Sequence, residues 1–322
     1  MTDRLLQRRG AGVLLPLFSL PGLYGIGTMG AAAYRFVDDL SSAGQRYWQI
    51  LPLTPTGYGD SPYQSLGACA GNHYLIDLDR LADEGLLKKE EIQNIPWGSN
   101  PARVDFGAMY AHRMNVLRLA FQRFAPDEAY ETFVEQNRSW LEDYALFTAL
   151  KDTLGGKPWL DWPEALRLRK ADALTEKRRE LSDEIRLQYF VQYEFDRQWK
   201  ALRSYANAKG VRIIGDVPIY VPLDSADVWA NPELFQLDES RHPEQVAGCP
   251  PDSFTADGQL WGNPLYDWDA MKADGYGWWI RRIDGAKKLY DIIRIDHFRG
   301  FESYWACLLY TSPSPRDYAA SR

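Results

Sequence analysis

Four stretches of the chain are short, nearly unbroken apolar runs closed by turn residues: GVLLPLFSL (12–20), RYWQILPL (46–53), VRIIGDVPIYV (211–221) and LYDIIRIDHF (289–298). Such runs mark strands buried in a parallel sheet. Between the first two, Ala33, Phe36, Val37 and Leu40 fall at helical spacing and Gly44 supplies a stop, which predicts a strand–helix–strand unit. A long helix with Val191, Phe195, Trp199 and Leu202 along one face, ended by Gly210, leads into the third strand. Another, carrying Trp279, Ile283 and Ala286, leads into the fourth.

From about residue 67 to 182 the pattern changes. Helical stripes such as Leu117, Ala120, Phe121 and Phe124 alternate with turn-rich pieces such as NIPWGSNP (94–101), and no run there matches the four strands. A largely helical insertion between the second and third strands is predicted. Alternating strands and helices suit either a (β/α)₈ barrel or a doubly wound sheet. The polar motifs gather at the C-terminal ends of the strands, as they do in barrels. The expected fold is therefore α/β: the N-terminal part of a (β/α)₈ TIM barrel. Residues 1–66 and 183–306 would form the partial barrel and 67–182 an inserted helical subdomain. The last segment, CLLYTSPSPRDYAASR (307–322), shows neither helix nor strand pattern. It is expected to be a tail foreign to the barrel, with a sequencing or cloning scar favoured over a natural disordered end.

Composition narrows the function. The chain is 45% hydrophobic and 25% charged, the balance of a globular protein with a core. A net charge of −7 argues against nucleic acid, whose phosphates call for clustered cations. No apolar run approaches the roughly 18 residues of a membrane span, and the first residues lack a secretory pattern. Three cysteines without metal-type spacing fit a reduced, cytoplasmic setting. Trp (12) and Tyr (19) are abundant, several of them in Gly- and Pro-rich segments. Rings so placed are either core or flat surfaces on which the apolar faces of sugars can stack.

Four constellations carry chemistry. In IIRIDHFRG (292–300), strand alternation puts Arg294 and Asp296 on one face. They are either a structural ion pair or a glycosidic nucleophile kept ionised by a guanidinium. GYGDSPYQSLGACAGN (57–72) is mostly turn, but Tyr63 in its rigid Ser-Pro-Tyr-Gln turn can stack on a pyranose. Asp216, near the end of the third strand, can bind sugar hydroxyls or cap the next helix. VAGCPPDSFTADGQLWGNPLYDW (246–268) predicts a long structured loop without strands, a lid or binding loop. Its Trp261 is either buried beneath the loop or a stacking face, and its Cys249 a packing residue.

Together these segments resemble the amylomaltase, or disproportionating-enzyme, family of the α-amylase-like group. The resemblance runs from about residue 4 to 306. It is carried by LPLFSLPGLYGIGTMG, QILPLTPTGYGDSPYQS, IIGDVPIYVPLDSADVW, the 246–268 segment and RIDHFRGFESYW. It implies retaining transfer of α-1,4-glucan segments, with maltooligosaccharides and related glucans as donor and acceptor. No metal or organic cofactor, nucleic acid or membrane is implied. By position, Asp296 looks like the nucleophile and Arg294 its orienting partner. Ser61 and Tyr63 would belong to the substrate site with Tyr63 as stacking platform, Asp216 and His297 would be hydroxyl ligands, and Asp252 and Trp261 would belong to the lid. One departure is GNHY (71–74), where the family pattern has Pro in place of His73. The family's acid/base Glu and a further Asp lie beyond the fourth strand and have no counterpart here. The expectation is thus a chain cut off after about residue 306, active as its intact parent and inactive as it stands. The alternatives are an α-glucan hydrolase and a non-catalytic glucan-binding fragment.

Overall fold

Pro16 and Pro52 stop the first two apolar runs from becoming long strands, because proline has no N–H to give to a ladder. The computed structural model describes residues 9–98, 100, 102–253, 255–308 and 318–319. Among them the strands are β1 (Gly12–Leu14), β2 (Tyr47–Gln49), β3 (Arg212–Pro218), β4 (Gln245–Cys249), β5 (Gln259–Pro264), β6 (Ile292–Asp296), β7 (Trp305–Leu308) and β8 (Tyr318–Ala319). The four predicted strands are β1, β2, β3 and β6. They pair side by side in the order β1-β2-β3-β6, and every pairing is parallel. Gly12 is required by this pairing, since a Cβ there would lie 2.4 Å from the Tyr47 carbonyl oxygen.

The longer helices are α1 (Ala31–Ser42), α2 (Phe106–Arg123), α3 (Glu128–Thr153), α4 (Ser182–Ala208) and α5 (Gly277–Leu289). Residues 67–182 are helical, with no strand among those described. Asp105 and Asp127 start α2 and α3 by accepting the backbone N–H of Ala108 and Tyr130, as N-caps do. The predicted stripes are buried: Val37 and Leu40 of α1 and Val191, Phe195, Trp199 and Leu202 of α4 share one core with Trp48, Ile50 and Ile213 of the sheet. Met109 and Leu117 of α2 join that core. Tyr144, Phe147 and Leu150 of α3 instead pack with Ile219, Trp229, Tyr266, Trp278 and Trp279 in a second. The helices therefore cover the sheet face that carries Ile213 and Val217. Strand alternation leaves Asp216, Arg294 and Asp296 on the opposite face.

Two expectations are corrected. The 246–268 segment is not a strandless loop: β4 and β5 form an antiparallel hairpin, and β7 pairs with the other side of β4. Its Pro and Gly residues hid this pattern. Gly258 takes φ +73° at the turn, and a bulge containing Gly262 shifts the register between Val246 and Gly248, as bulges do. Second, Cys307 and Leu308, assigned to the patternless tail, lie in β7, where Cys307 is buried. Tyr318 and Ala319 pair with the same strand. The remainder of that segment lies outside the described residues.

Candidate active site

The register of β3 and β6 sets Asp216 beside Arg294, and Pro218 beside Asp296. Arg294 Nη1 donates to Asp216 Oδ1 and its Nη2 to Asp296 Oδ1, each at 2.7 Å. The Tyr63 hydroxyl donates to the other oxygen, Asp216 Oδ2, at 2.8 Å. One planar guanidinium thus bridges two carboxylates in a fork only arginine can present. Asp216 is 2% exposed, whereas the Asp296 side chain keeps 42% of its surface open. Burial raises the Asp216 pKa against the opposing pull of Tyr63 and Arg294. Burial, then the hydrogen bond to Asp216, pushes the Tyr63 phenol well up, so it stays a donor. Burial works against the charge of Arg294, but the two carboxylates outweigh it and raise its pKa.

Tyr63 reaches this place on a loop braced at several points. Gly57 N–H donates to Gln64 O at 2.6 Å, and Ser61 Oγ accepts Tyr63 N–H at 3.2 Å. Further along, Gln192 of α4 accepts from Gly71 N–H at 2.7 Å and donates to Gly71 O at 3.0 Å. Ser61 is therefore a brace for the Tyr63 backbone. Asp216 caps no helix: Ser225 accepts the Val228 N–H to start the 226–230 helix.

Directly after Asp296 the chain turns at His297, whose φ of 53° is left-handed. Such backbone in a residue other than glycine costs roughly 1–3 kcal/mol and clusters at functional sites. The turn aims the His297 ring at the edge of Trp261, 5.0 Å between centroids, with Tyr220 within 6.4 Å of His297 and 6.2 Å of Trp261. Burial lowers the His297 pKa, with Asp296 opposing. Trp261 stands on β5, half-buried, its Nε1 donating to Gln259 Oε1 at 2.9 Å. The hairpin thereby reaches His297, the residue that follows Asp296, through Trp261. Asp252 is tied into its own turn, its Oδ1 accepting Thr255 N–H at 2.9 Å.

Three residues of this region were not singled out from the sequence. Tyr220 links Trp261 and His297. Arg282 of α5, 6% exposed, donates to the carbonyls of Pro218 at 2.5 Å and Ile219 at 2.9 Å. Tyr266 donates its hydroxyl to the same Ile219 carbonyl at 2.6 Å. These bonds pin the turn that follows Asp216. The spacing of Trp278, Trp279 and Arg282 reads as an ordinary helix face, so no local signal marked them. Among the described residues no cluster of His, Cys, Asp and Glu could hold a metal ion, and no helix is long and apolar enough to cross a membrane.

A family model described as 4-alpha-glucanotransferase matches residues 15–315. A 4-alpha-glucanotransferase from Thermus thermophilus is 52% identical over 303 residues, covering 92% of this chain and 60% of the relative. One from Clostridium butyricum is 50% identical over 291 residues, covering 89% and 60%. Among solved structures, an amylomaltase from Streptococcus agalactiae in complex with acarbose superposes with a TM-score of 0.93 at 45% identity, covering 98% of this chain and 64% of that one. The chain thus spans about 60% of the length of these curated relatives. With a match that runs through every element bearing the Tyr63–Asp216–Arg294–Asp296 group, the chain belongs to the 4-alpha-glucanotransferase family.

Proposed function

We propose that this chain carries the nucleophile side of a retaining 4-α-glucanotransferase site acting on maltooligosaccharides and other α-1,4-glucans. The observation that carries this reading is the Arg294 fork. It holds Asp296 partly open at a strand end while Asp216 stays buried beside it. Asp296 would attack the anomeric carbon and form a covalent glucosyl ester. Tyr63 would stack on the bound ring, and Asp216 and His297 would accept or donate to its hydroxyls. The four parallel strands would form part of the wall of a (β/α)₈ barrel, with residues 67–182 inserted. The relative solved with acarbose supports an α-glucan as ligand.

Retaining chemistry also needs a carboxylic acid about 5 Å from the nucleophile to protonate the leaving oxygen. Asp216 does not suit that role, because both its oxygens already accept hydrogen bonds. Glu302 is exposed, on the turn leaving the same strand as Asp296. We assign the acid to the part of the relatives' length that this chain does not span. The 322-residue chain alone should then leave maltotriose unchanged. Transfer requires that an acceptor hydroxyl, not water, meets the ester, and the β4–β5 hairpin with Trp261 and Asp252 would exclude water.

The experiment is Asp296→Asn in a chain extended to the relatives' length, with maltotriose products followed by chromatography. Asn keeps the shape but forms no useful ester, so transfer should fall by roughly 10³-fold or more while maltotriose still binds. Activity within about tenfold of the parent would remove Asp296 from the role.

A further inference from the structure

The Tyr63 hydroxyl bonds Asp216 from a loop, and loop and strand end are each tied from behind by a charged side chain. On the loop side, Asp227 Oδ2 accepts the Ala68 N–H at 2.7 Å, and Leu66 O accepts the N–H of Ala226 at 2.9 Å. On the strand side, Arg282 donates to the Pro218 and Ile219 carbonyls, just beyond Asp216. We propose that Asp227 and Arg282 are a pair of positioning residues that together set where Tyr63 meets Asp216. This rests on the reading of Tyr63 and Asp216 as part of a glucan site, and it assigns neither residue a contact with the sugar.

The first argument is geometric. Asp227 and Arg282 line one cavity with Tyr63 and Asp216. Each feels the other there: burial raises the Asp227 pKa, while the Ala68 N–H and then the Arg282 cation oppose it. The guanidinium itself is clamped. It lies over the Trp278 and Trp279 rings, 5.3 and 4.8 Å from their centroids, and its Nη1 also donates to the Tyr266 hydroxyl at 3.4 Å. Tyr266 in turn donates to the Ile219 carbonyl, so that oxygen takes two donors. A side chain held on so many sides has one place to put the strand end.

The second argument is energetic. Arg282 is 6% exposed, and stability alone does not call for a cation there. Well-packed apolar side chains of similar volume replace a buried charge pair at little or no loss of stability. The Arg282 Nε is moreover buried without an acceptor, a further cost. What an apolar residue cannot do is fix two successive carbonyls with one planar group. Those carbonyls stand between two site residues. Asp216 precedes them, and Tyr220 follows Ile219 directly, facing Trp261 and His297.

The test is amide hydrogen exchange, followed by mass spectrometry in the 322-residue chain over segments 57–72 and 214–222. Arg282→Lys keeps the charge but cannot serve both carbonyls as the fork does. The hydrogen bonds of Arg282 lie on the strand side, yet this variant should quicken exchange in both segments by about threefold or more. With Tyr63→Phe already in place, its effect on 57–72 should vanish, because the bond joining the halves is gone. Asp227→Asn leaves Ala68 an acceptor, removes the charge that Arg282 faces, and should likewise quicken both segments. Exchange quickened on one side only would overturn the pair. So would exchange quickened alike over β1, β2 and α4, which is what plain loss of stability gives. If Arg282→Lys does not fold, Asp227→Asn decides alone. In a chain extended to the relatives' length, each variant should lower kcat/KM for transfer from maltotriose about tenfold. Transfer at the parent's rate would overturn the positioning role. An unsubstituted extended chain that transfers nothing would instead overturn the glucan reading, and the exchange pattern would still decide the pair.

Discussion

Arg294 holds two carboxylates with one rigid group, and its replacement should show how much depends on the fork. Lysine offers a point charge and cannot bridge Asp216 and Asp296 in the same way. Arg294→Lys should destabilise the chain by about 1–2 kcal/mol, because Asp216 is buried and loses a charged donor. A urea midpoint within error of the parent would refute this. A second residue, His73, stands where the resemblance led to an expected proline, and its surroundings say what an imidazole does there. Burial, reinforced by the Arg113 cation, lowers its imidazole from 6.5 to about 3. Between those values the unfolded chain binds a proton that the folded chain refuses, so stability rises with pH and is lost on acidification from 6.5 toward 3. His73 opens a short turn after Asn72, whose φ of −73° and ψ of 111° tolerate a following proline. His73→Pro should therefore fold and show a shallower loss of stability across that window, measured as urea midpoints at its two ends. An unchanged slope would assign the acid sensitivity elsewhere. At this scale the sequence was half legible. Strand alternation put Arg294 and Asp296 on one face. The Asp216–Arg294 bond, between residues 78 apart, depends on a strand register that no local pattern encodes.

Among elements, helices were read best. Val191, Phe195, Trp199 and Leu202 form a stripe that repeats over a 27-residue helix, long enough for periodicity to stand out. The β4–β5 hairpin was unreadable for the opposite reason. Its strands are five and six residues long and broken by Gly and Pro, and β7 completes the sheet from far along the chain. As a sheet the hairpin is stiffer than a loop, and it carries Trp261 against His297. Trp261→Ala, in a chain extended to the relatives' length, should raise the yield of free glucose relative to longer oligosaccharides from maltotriose. The reason is that, in the proposed mechanism, a loosened cover admits water to the glucosyl ester. An unchanged product ratio would make Trp261 a packing residue only.

On the scale of the molecule, β1 and β6 each have one neighbour among the described residues, so the parallel sheet has two open edges. Val13 and Leu14 on β1 are 37% and 55% exposed. Unpaired ladder groups with apolar side chains are templates for association. The 322-residue chain should self-associate at micromolar concentration, and Leu14→Lys should raise its monomer fraction in sedimentation. A parent chain that sediments as a monomer at all concentrations would contradict this. The parallel strands were legible because each lies in a short, largely apolar run closed by turn residues. Their order has a price in time. Tyr63 and Asp216, joined by one hydrogen bond, are 153 residues apart. A ribosome adding roughly 5–20 residues per second needs on the order of 8–30 s between them. Throughout that interval the nascent chain holds β1, α1 and β2 with no β3 to pair with. Tyr63 is therefore made long before the carboxylate its hydroxyl must bind, and a chaperone that shields nascent chains would find its client in that gap.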